Sequence, residues 1–333
     1  MTGIKILQFS VIRIKLLAQA GLVLMMTFGL IPLAYAWTCV YVSSYHRGYD
    51  WSDGVERGLR AGLRNECDLI QFDMDTKRNR SESYKTSKAS EIARKVREIK
   101  PDVLITSDDN AARYLVTPYF SGTELPVVFC GINWTVEEYG FPTSNVTGMV
   151  EVMALKPMLE WAGRLTDSGT RGVYIGTDAI SELKDYRFLA KAANDLGLTI
   201  DRVVVDSQQA WMSAFEQSNE VDFIILGTSS SIEDWDEKTV LKFVKQHADK
   251  LILTSYRKMM PLAMIGFVKI PEEQGEWAAK TAIAIHEGMP INRIPIIANR
   301  KWEVYENLLL LKLSGIKLPD VLRSRAKKFK QGL

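Results

Sequence analysis

Along most of the chain, short apolar runs alternate with longer stretches whose apolar residues recur at helical spacing. In the first half, runs with the length of buried strands lie at 39–42, 68–74, 101–105 and 125–130. Between them, 51–63 and 81–99 have the amphipathic pattern of helices. This alternation predicts a parallel sheet with helices on both faces.

A second series of the same kind begins after Val150. It contains predicted strands at 172–175, 200–205, 221–226 and 251–253 and predicted helices at 155–165, 183–196 and 240–247. The tail adds a strand at 263–268, a helix at 271–287, a strand at 294–297 and a helix at 302–313. The chain therefore consists of two similar α/β halves of roughly 110 residues each. We expect the tail to cross back to the first half and then return to the second.

The first 36 residues follow a different pattern. Lys5, Arg13 and Lys15 precede an apolar run at 16–33, which ends in Ala34-Tyr35-Ala36. This order is typical of a secretory signal peptide cleaved after Ala36, and it predicts a periplasmic protein. An uncleaved membrane anchor is the alternative, because the run is close to the length that spans a bilayer. The small residues at the end of the run favour cleavage.

Composition and charge limit the function further. The chain has 333 residues, of which 47% are hydrophobic and 25% charged, and its net charge of +2 predicts no nucleic-acid partner. Cys39 begins the first predicted strand and Cys67 precedes the second, and in a doubly wound sheet those two strand starts can be neighbours. An oxidising compartment therefore allows a disulfide between them, although sequence does not fix the pairing. Cys130 is then a free, buried thiol.

The usual signatures of catalysis and cofactor binding are missing. The chain contains no phosphate-binding glycine loop, no dinucleotide fingerprint, no nucleophile elbow and no H-E-x-x-H sequence. His46, His247 and His286 are far apart, and Asp73 and Asp75 alone are a weak metal signal. We therefore expect no catalytic residues, no metal and no cofactor.

Polar and aromatic residues instead follow the ends of the predicted strands. The third strand, for example, ends in Thr106-Ser107-Asp108-Asp109-Asn110 before a helical segment. Open α/β sheets bind ligands in the crevice at these ends, although helix capping alone also explains such residues. The candidate ligand-binding residues are Ser43, Ser44, Tyr45, Ser107, Asp108, Asp109, Asn133 and Trp134 in the first half, and Tyr174, Thr177, Asp178, Thr228, Ser229 and Tyr256 in the second.

These residue types predict a polar ligand held between the two halves. Asp109 and Asp178 are the expected partners of a cationic group, one from each half. Hydroxyl groups provide neutral hydrogen bonds, and aromatic rings provide walls for an apolar, planar or cationic body. The hydroxyl set is Ser44, Ser107, Thr177 and Thr228, and the walls are Tyr45, Trp134 and Tyr256.

Four ordered segments resemble a known family. They are 126–133 (PVVFCGIN), 145–149 (NVTGM), 271–295 (from PEEQG to INRIP) and 307–319 (from NLLLL to SGIKLP). In this order, and over nearly all of the chain after residue 36, they are similar to the type 1 periplasmic solute-binding proteins of ABC importers, within the ABC_sub_bind group. Ser107-Asp108-Asp109-Asn110 departs from the small, neutral residues that the family has after its third strand.

The resemblance implies an α/β fold of two Rossmann-like lobes with parallel sheets, joined by a three-strand hinge around a ligand cleft. The expected division is a signal peptide at 1–36, an N-terminal lobe at 37–150 plus 264–290, and a C-terminal lobe at 151–263 plus 291–333. The expected function is delivery of a small polar solute, such as an amino-acid-like molecule, to an ABC permease in the membrane, with the binding protein acting as a monomer. The alternative is a periplasmic module that senses its ligand through a separate receptor or sensor kinase. An enzyme has the least support.

Overall fold

The computed structural model describes residues 37–64, 66–166 and 169–330. The predicted signal peptide lies outside the described residues. The first sheet has the strand order β11-β5-β4-β3-β1-β2, and its neighbouring strands pair in parallel. Its strands are β1 (Trp37–Ser43), β2 (Cys67–Asp73), β3 (Val103–Ser107), β4 (Val127–Asn133), β5 (Val146–Glu151) and β11 (Ile297–Ala298).

The second sheet has the order β13-β12-β10-β9-β8-β6-β7. It is parallel except where β12 pairs antiparallel with β10. Its strands are β6 (Arg171–Gly176), β7 (Thr199–Val204), β8 (Phe223–Leu226), β9 (Leu251–Thr254), β10 (Ile265–Lys269), β12 (Trp302–Glu306) and β13 (Ala326–Lys328). The two sheets form the cores of two lobes, which confirms the predicted fold class.

Helices flank both sheets. They are α1 (Asp50–Leu63), α2 (Glu82–Ile99), α3 (Asp108–Ala111, continued through Ala112–Val116 and Thr117–Tyr119), α4 (Leu155–Leu165), α5 (Ile180–Asp195), α6 (Gln208–Gln217), α7 (Glu237–His247), α8 (Pro271–His286), α9 (Leu308–Ser314) and α10 (Asp320–Arg323). Glycine is required where α1 packs on α8. A Cβ on Gly58 would lie 2.2 Å from the carbonyl oxygen of Glu272, and one on Gly275 would lie 2.0 Å from that of Val55. Within the described part of the chain, no helix is long and apolar enough to span a membrane.

Three segments connect the lobes, as the sequence predicted. They run from β5 to α4, from β10 to α8 and from β11 to β12. Side chains tie these crossovers to one another. Glu151 at the end of β5 forms a buried ion pair with Lys269 at the end of β10. Asn299 accepts a hydrogen bond from the backbone N–H of Val152 at 2.6 Å, so the first and third crossovers are also joined.

The tail differs from the sequence prediction in two respects. Strand β10 pairs with β9 in the second sheet, and β11 pairs with β5 in the first, whereas the expected boundaries assigned 264–290 to the first lobe and 291–333 to the second. The helix predicted at 302–313 is wrong over its first part. β12 occupies this segment because it completes an antiparallel pairing with β10, and the Asn307 side chain then caps α9. Helix α6 was not predicted.

The cysteines behave as the sequence suggested. Cys39 and Cys67 form a disulfide, with their Cα atoms 6.0 Å apart on the paired strands β1 and β2. Cys130 on β4 is a free thiol and is fully buried. The disulfide therefore joins the edge strand of the first sheet to its neighbour.

Candidate functional site

A small pocket lies between the lobes at the carboxyl ends of the strands, and we call it the central pocket. It is lined by Tyr45, Tyr49, Trp51, Lys77, Asp108, Asn133, Glu151, Ser181, Thr228 and Tyr256. It shares residues with two larger spaces in the cleft. The hinge cavity, of about 760 Å³, is bordered by the β10–α8 crossover and shares Tyr49, Trp51, Thr228 and Tyr256 with the pocket. The latch cavity, of about 510 Å³, lies beside Arg80 and Asp178 and shares Tyr45, Lys77 and Ser181 with it.

Two acidic residues line the central pocket, and Asp108 is the one without an ion-pair partner among the described residues, since Glu151 pairs with Lys269. Asp108 is 3% exposed, and its Oδ2 atom has no hydrogen-bond partner among the described residues. Burial, with the nearby Glu151 and Asp109 carboxylates, raises the pKa of Asp108 well above its usual value. Its φ of 69° is in the left-handed region, which is uncommon for a residue other than glycine and is frequent at binding sites.

An unused hydrogen-bond donor lies close to this carboxylate. The indole Nε1 of Trp51 is buried and has no partner within the described ranges. A Cβ placed on Gly131 would be 3.5 Å from Oδ1 of Asp108 and 3.6 Å from this indole nitrogen, so both groups border the same point. The pocket thus offers a ligand one carboxylate acceptor and one N–H donor that the protein itself leaves unsatisfied.

Aromatic rings form the walls, and two lysines lie over their faces. The Tyr45 and Tyr49 rings meet edge to face with centroids 5.1 Å apart. The ammonium of Lys77 lies 4.6 Å from the Tyr45 centroid, and that of Lys269 lies 4.8 Å from the Tyr256 centroid. The faces of Tyr45 and Tyr256 next to these lysines are therefore already occupied by cations of the protein.

The second lobe contributes a pair of buried carboxylates from α5. Glu182 accepts hydrogen bonds from the backbone N–H groups of Thr177 at 3.1 Å and Thr228 at 2.9 Å. Burial raises the pKa of Glu182 to about 7, and the neighbouring Asp185 contributes to the shift. Asp185 accepts hydrogen bonds from the indole of Trp134 at 2.7 Å and from the hydroxyl of Tyr256. Because Trp134 belongs to the first lobe, Asp185 also connects the two lobes.

Three ion pairs also join the two lobes. Lys184 on α5 donates to Oδ1 of Asp109 at 2.6 Å and also pairs with Glu138, both in the first lobe. In the third pair the cation belongs to the first lobe: Arg80 donates to Asp178 of the second lobe at 2.8 Å. The carboxylates of Asp109 and Asp178 are therefore bonded to cations of the protein itself.

The predicted site residues separate into two groups in the structure. Those that line the central pocket are Tyr45, Asp108, Asn133, Thr228 and Tyr256. The others lie around it. Ser44 donates to the carbonyl oxygen of Ser107 at 2.6 Å, Ser107 bonds to Tyr41, and Ser43 accepts from the N–H of Tyr45. Trp134 stacks on Phe188 with centroids 4.4 Å apart, while Tyr174, Thr177 and Ser229 are buried beneath the second-lobe strand ends.

Several residues in and around the pocket were missing from the sequence prediction, and one group beneath the pocket had a pattern from which it could have been predicted. Glu182, Asp185, Leu189 and Ala193 form the buried stripe of α5. Two carboxylates at the start of an otherwise apolar helical stripe indicate a buried polar site. Glu151, Lys269 and Lys77 had no such signal, because their positions depend on how the crossovers and loops fold.

Comparison with known proteins agrees with this architecture. The family model described as ABC transporter substrate binding protein matches residues 44–330. A search of curated proteins found no significant match. Among solved structures, the ABC domain in complex with L-Trp from Streptococcus pneumoniae is 17% identical with a TM-score of 0.68, and the match covers 87% of this chain and 99% of that one.

Two further structures have the same fold. A substrate binding protein with adhesive properties from Clostridium difficile, in its ligand-free, open form, is 14% identical with a TM-score of 0.67, over 89% of this chain and 100% of that one. A periplasmic ribose ABC transporter protein from Conexibacter woesei is 12% identical with a TM-score of 0.59, over 85% and 96%. At these identities the structures share the type 1 periplasmic binding protein fold. With the family model extending over most of its length, the chain belongs to the ABC transporter substrate binding protein family.

Proposed function

We propose that this chain captures a small polar solute carrying an ammonium group, as amino-acid-like molecules do, and delivers it to an ABC permease. The observation that carries the proposal is the Asp108 carboxylate, which lines a pocket between two lobes and whose buried Oδ2 atom has no partner among the described residues. A buried carboxylate without a partner is costly, and a bound cation would supply the missing interaction. Of the candidate acidic residues, we therefore assign the cation to Asp108 and give Asp109 and Asp178 the role of holding the lobes together.

The remaining pocket residues support a ligand with an apolar or planar body. Tyr45, Tyr49, Trp51 and Tyr256 surround the carboxylate, and the hinge cavity continues from three of these rings. Thr228 and the Trp51 indole can hydrogen-bond polar groups of the ligand. Pockets made of aromatic walls with a few directed polar groups are typical of small-molecule sites. One neighbour of the same fold was solved with L-Trp, which fits a ligand of this size.

Transport is the role best supported for the bound solute. The family and the neighbours named above are described as substrate-binding and transport proteins, and they give the sensor alternative no support. We propose that the protein works as a periplasmic monomer released from its signal peptide, and that it binds its ligand without changing it chemically. Closure of the lobes around the solute would present a single conformation to the permease.

A ligand screen on the chain from Trp37 to Leu333 tests the proposal. Thermal unfolding is followed with amino acids, amines, sugars and nucleosides, and each hit is recovered and checked by mass spectrometry for chemical change. A ligand at 100 times its dissociation constant adds about 2.7 kcal/mol to the free energy of unfolding. We expect hits among ammonium compounds, recovered unchanged. Hits confined to neutral sugars would refute the assignment of the cation.

A matched pair of variants then tests Asp108 itself. Asp108→Asn keeps the shape of the side chain and removes its charge, and we expect affinity to fall by at least about 30-fold, since loss of one partner of a buried charge pair costs about 2–5 kcal/mol. Asp195→Asn is the control, because Asp195 is exposed at the far end of α5. Equal affinities of the two variants would show that Asp108 does not hold the ligand.

A further inference from the structure

We infer that the transported solute is an amine with no carboxylate next to its ammonium group. This inference rests on the proposed function and narrows its ligand class. It follows from where the protein places its own carboxylates, which occupy the backbone donors that would otherwise receive the carboxylate of an α-amino acid.

In the second lobe, the Glu182 carboxylate occupies the place at the strand ends where a ligand carboxylate could otherwise bind. Its two carboxylate oxygens accept from the N–H groups that follow β6 and β8, at Thr177 and Thr228. Such N–H groups at the carboxyl ends of parallel strands are the positions where α/β proteins commonly hold anionic ligand groups. Because Glu182 is fully buried and bonded to both, a ligand carboxylate cannot reach them.

Glycines at both strand ends make room for this internal carboxylate. A Cβ on Gly176 or on Gly227 would lie 2.3 Å from Oε2 of Glu182. Any other residue at either position would push Glu182 out of its place. The local backbone is therefore shaped around the Glu182 carboxylate.

The first lobe is arranged in the same way. Asp109, at the start of α3, accepts from the backbone N–H of Asn133 at 3.2 Å, from its side-chain amide at 2.6 Å and from the hydroxyl of Tyr139 at 2.6 Å. Asp108 precedes it at the same helix terminus. The Asn133 and Tyr139 donors at this end of the first sheet thus also face a carboxylate of the protein.

The charges around the pocket favour a cationic ligand that carries no carboxylate. Two of the nearby lysines are already paired, Lys184 with Asp109 and Lys269 with Glu151. Lys77 lines both the central pocket and the latch cavity, and its ammonium lies over the Tyr45 and Tyr49 rings. In an α-amino acid the carboxylate is two bonds from the ammonium nitrogen, so an ammonium on Asp108 would bring the two carboxylates into close repulsion. An amine without a carboxylate would be attracted to Asp108 and would not experience this repulsion.

Matched pairs of compounds test the inference directly. The binding of tryptamine is compared with that of tryptophan, tyramine with tyrosine, and agmatine with arginine, by isothermal titration calorimetry on the chain from Trp37 to Leu333. We expect the best-bound amine to have a dissociation constant at least tenfold lower than its amino acid. If the amino acid of that pair binds equally well or better, the inference is overturned while the ammonium-binding function stands. If no compound of any pair binds, the ammonium assignment fails, and the inference fails with it.

Variants of Glu182 show whether this carboxylate causes the preference. Glu182→Gln removes the charge with little change of size, and we expect the ratio of amine to amino-acid affinity to fall at least threefold. Glu237→Gln, an exposed glutamate at the start of α7, should leave the ratio unchanged. Circular dichroism confirms that each variant is folded, and Glu182→Asp, which keeps the charge, should retain the preference. A folded Glu182→Gln variant with the wild-type ratio would overturn the role of Glu182.

Discussion

The buried ion pair between Glu151 and Lys269 gives a prediction whose size and pH dependence both follow from the structure. The two side chains join the first and second crossovers and are 6% and 4% exposed. Burial raises the pKa of Glu151 to about 7, even with the Lys269 ammonium beside it. Burial lowers the pKa of Lys269, but the facing carboxylate outweighs it and raises that pKa above its usual value. Lys269 therefore stays charged at neutral pH.

Replacing Lys269 with Met keeps the apolar stem and removes the charge. Glu151 then loses its cation, its folded-state pKa rises further, and the carboxyl is protonated in the folded protein up to a higher pH. Since this pKa is above the unfolded value of 4.5, the group destabilises the folded state increasingly as the pH rises. With a folded pKa of about 7, the cost is about 2 kcal/mol at pH 6 and about 3 kcal/mol at pH 8.

In the variant, a carboxyl that stays protonated costs about 2 kcal/mol at pH 6 and about 5 kcal/mol at pH 8. The ionisation of Glu151 thus adds almost nothing to the stability deficit of Lys269→Met at pH 6 and about 1–2 kcal/mol at pH 8. Urea unfolding followed by tryptophan fluorescence at both pH values measures this change. The double variant Lys269→Met/Glu151→Gln should lose the extra deficit. A deficit that is the same at both pH values, or a double variant no more stable at pH 8, would refute the reasoning.

Three further changes have definite expected results. Lys184→Met removes the ion pair with the first lobe, so small-angle scattering of the ligand-free protein should show a larger radius of gyration; an identical curve would mean that the pair does not hold the lobes. Gly176→Ala places a Cβ 2.3 Å from the buried Glu182 carboxylate and should lower the free energy of unfolding in urea by about 1–3 kcal/mol. Gly163→Ala, within α4, is the control: its Cβ would have no neighbour nearer than 4.0 Å, so the change should be neutral or stabilising. Loss of the 28-residue disulfide loop in Cys39→Ser/Cys67→Ser should cost about 3–4 kcal/mol, and unchanged stability would contradict the pairing.

Local patterns were sufficient to predict the lobes and part of the pocket. Strand-end residues such as Tyr45, Asp108, Asn133 and Tyr256 line it because parallel strands bring their carboxyl ends to one edge of a sheet. The same reasoning allowed the disulfide but left its pairing open, and the structure forms it between the neighbouring strands β1 and β2. These results depend on strand order, which the βα rhythm largely determines.

Other parts depended on pairing between distant segments. The segment 302–306 contains the strand formers Trp302, Val304 and Tyr305, but the leucine-rich stretch that follows it favoured a helix across the whole segment. Its pairing with β10, which is distant in the sequence, is what makes it a strand. The partners of Asp109 could not be predicted either. Lys184 reaches it from the other lobe, 75 positions further along the chain, and no local pattern carries that information.

The carboxylates that already bond across the cleft also limit how far a ligand can shift the equilibrium between the open and closed forms. Asp109, Asp178 and Asp185 already bond to groups of the opposite lobe, through Lys184, Arg80 and Trp134, so these contacts favour the closed form with or without solute. A ligand shifts the equilibrium between open and closed forms only through its difference in affinity for the two. At this site the difference comes from Asp108 in the first lobe together with Tyr256 and Thr228 in the second. A solute that binds Asp108 but is too short to reach Tyr256 would therefore bind without favouring closure, and only a longer amine would do both.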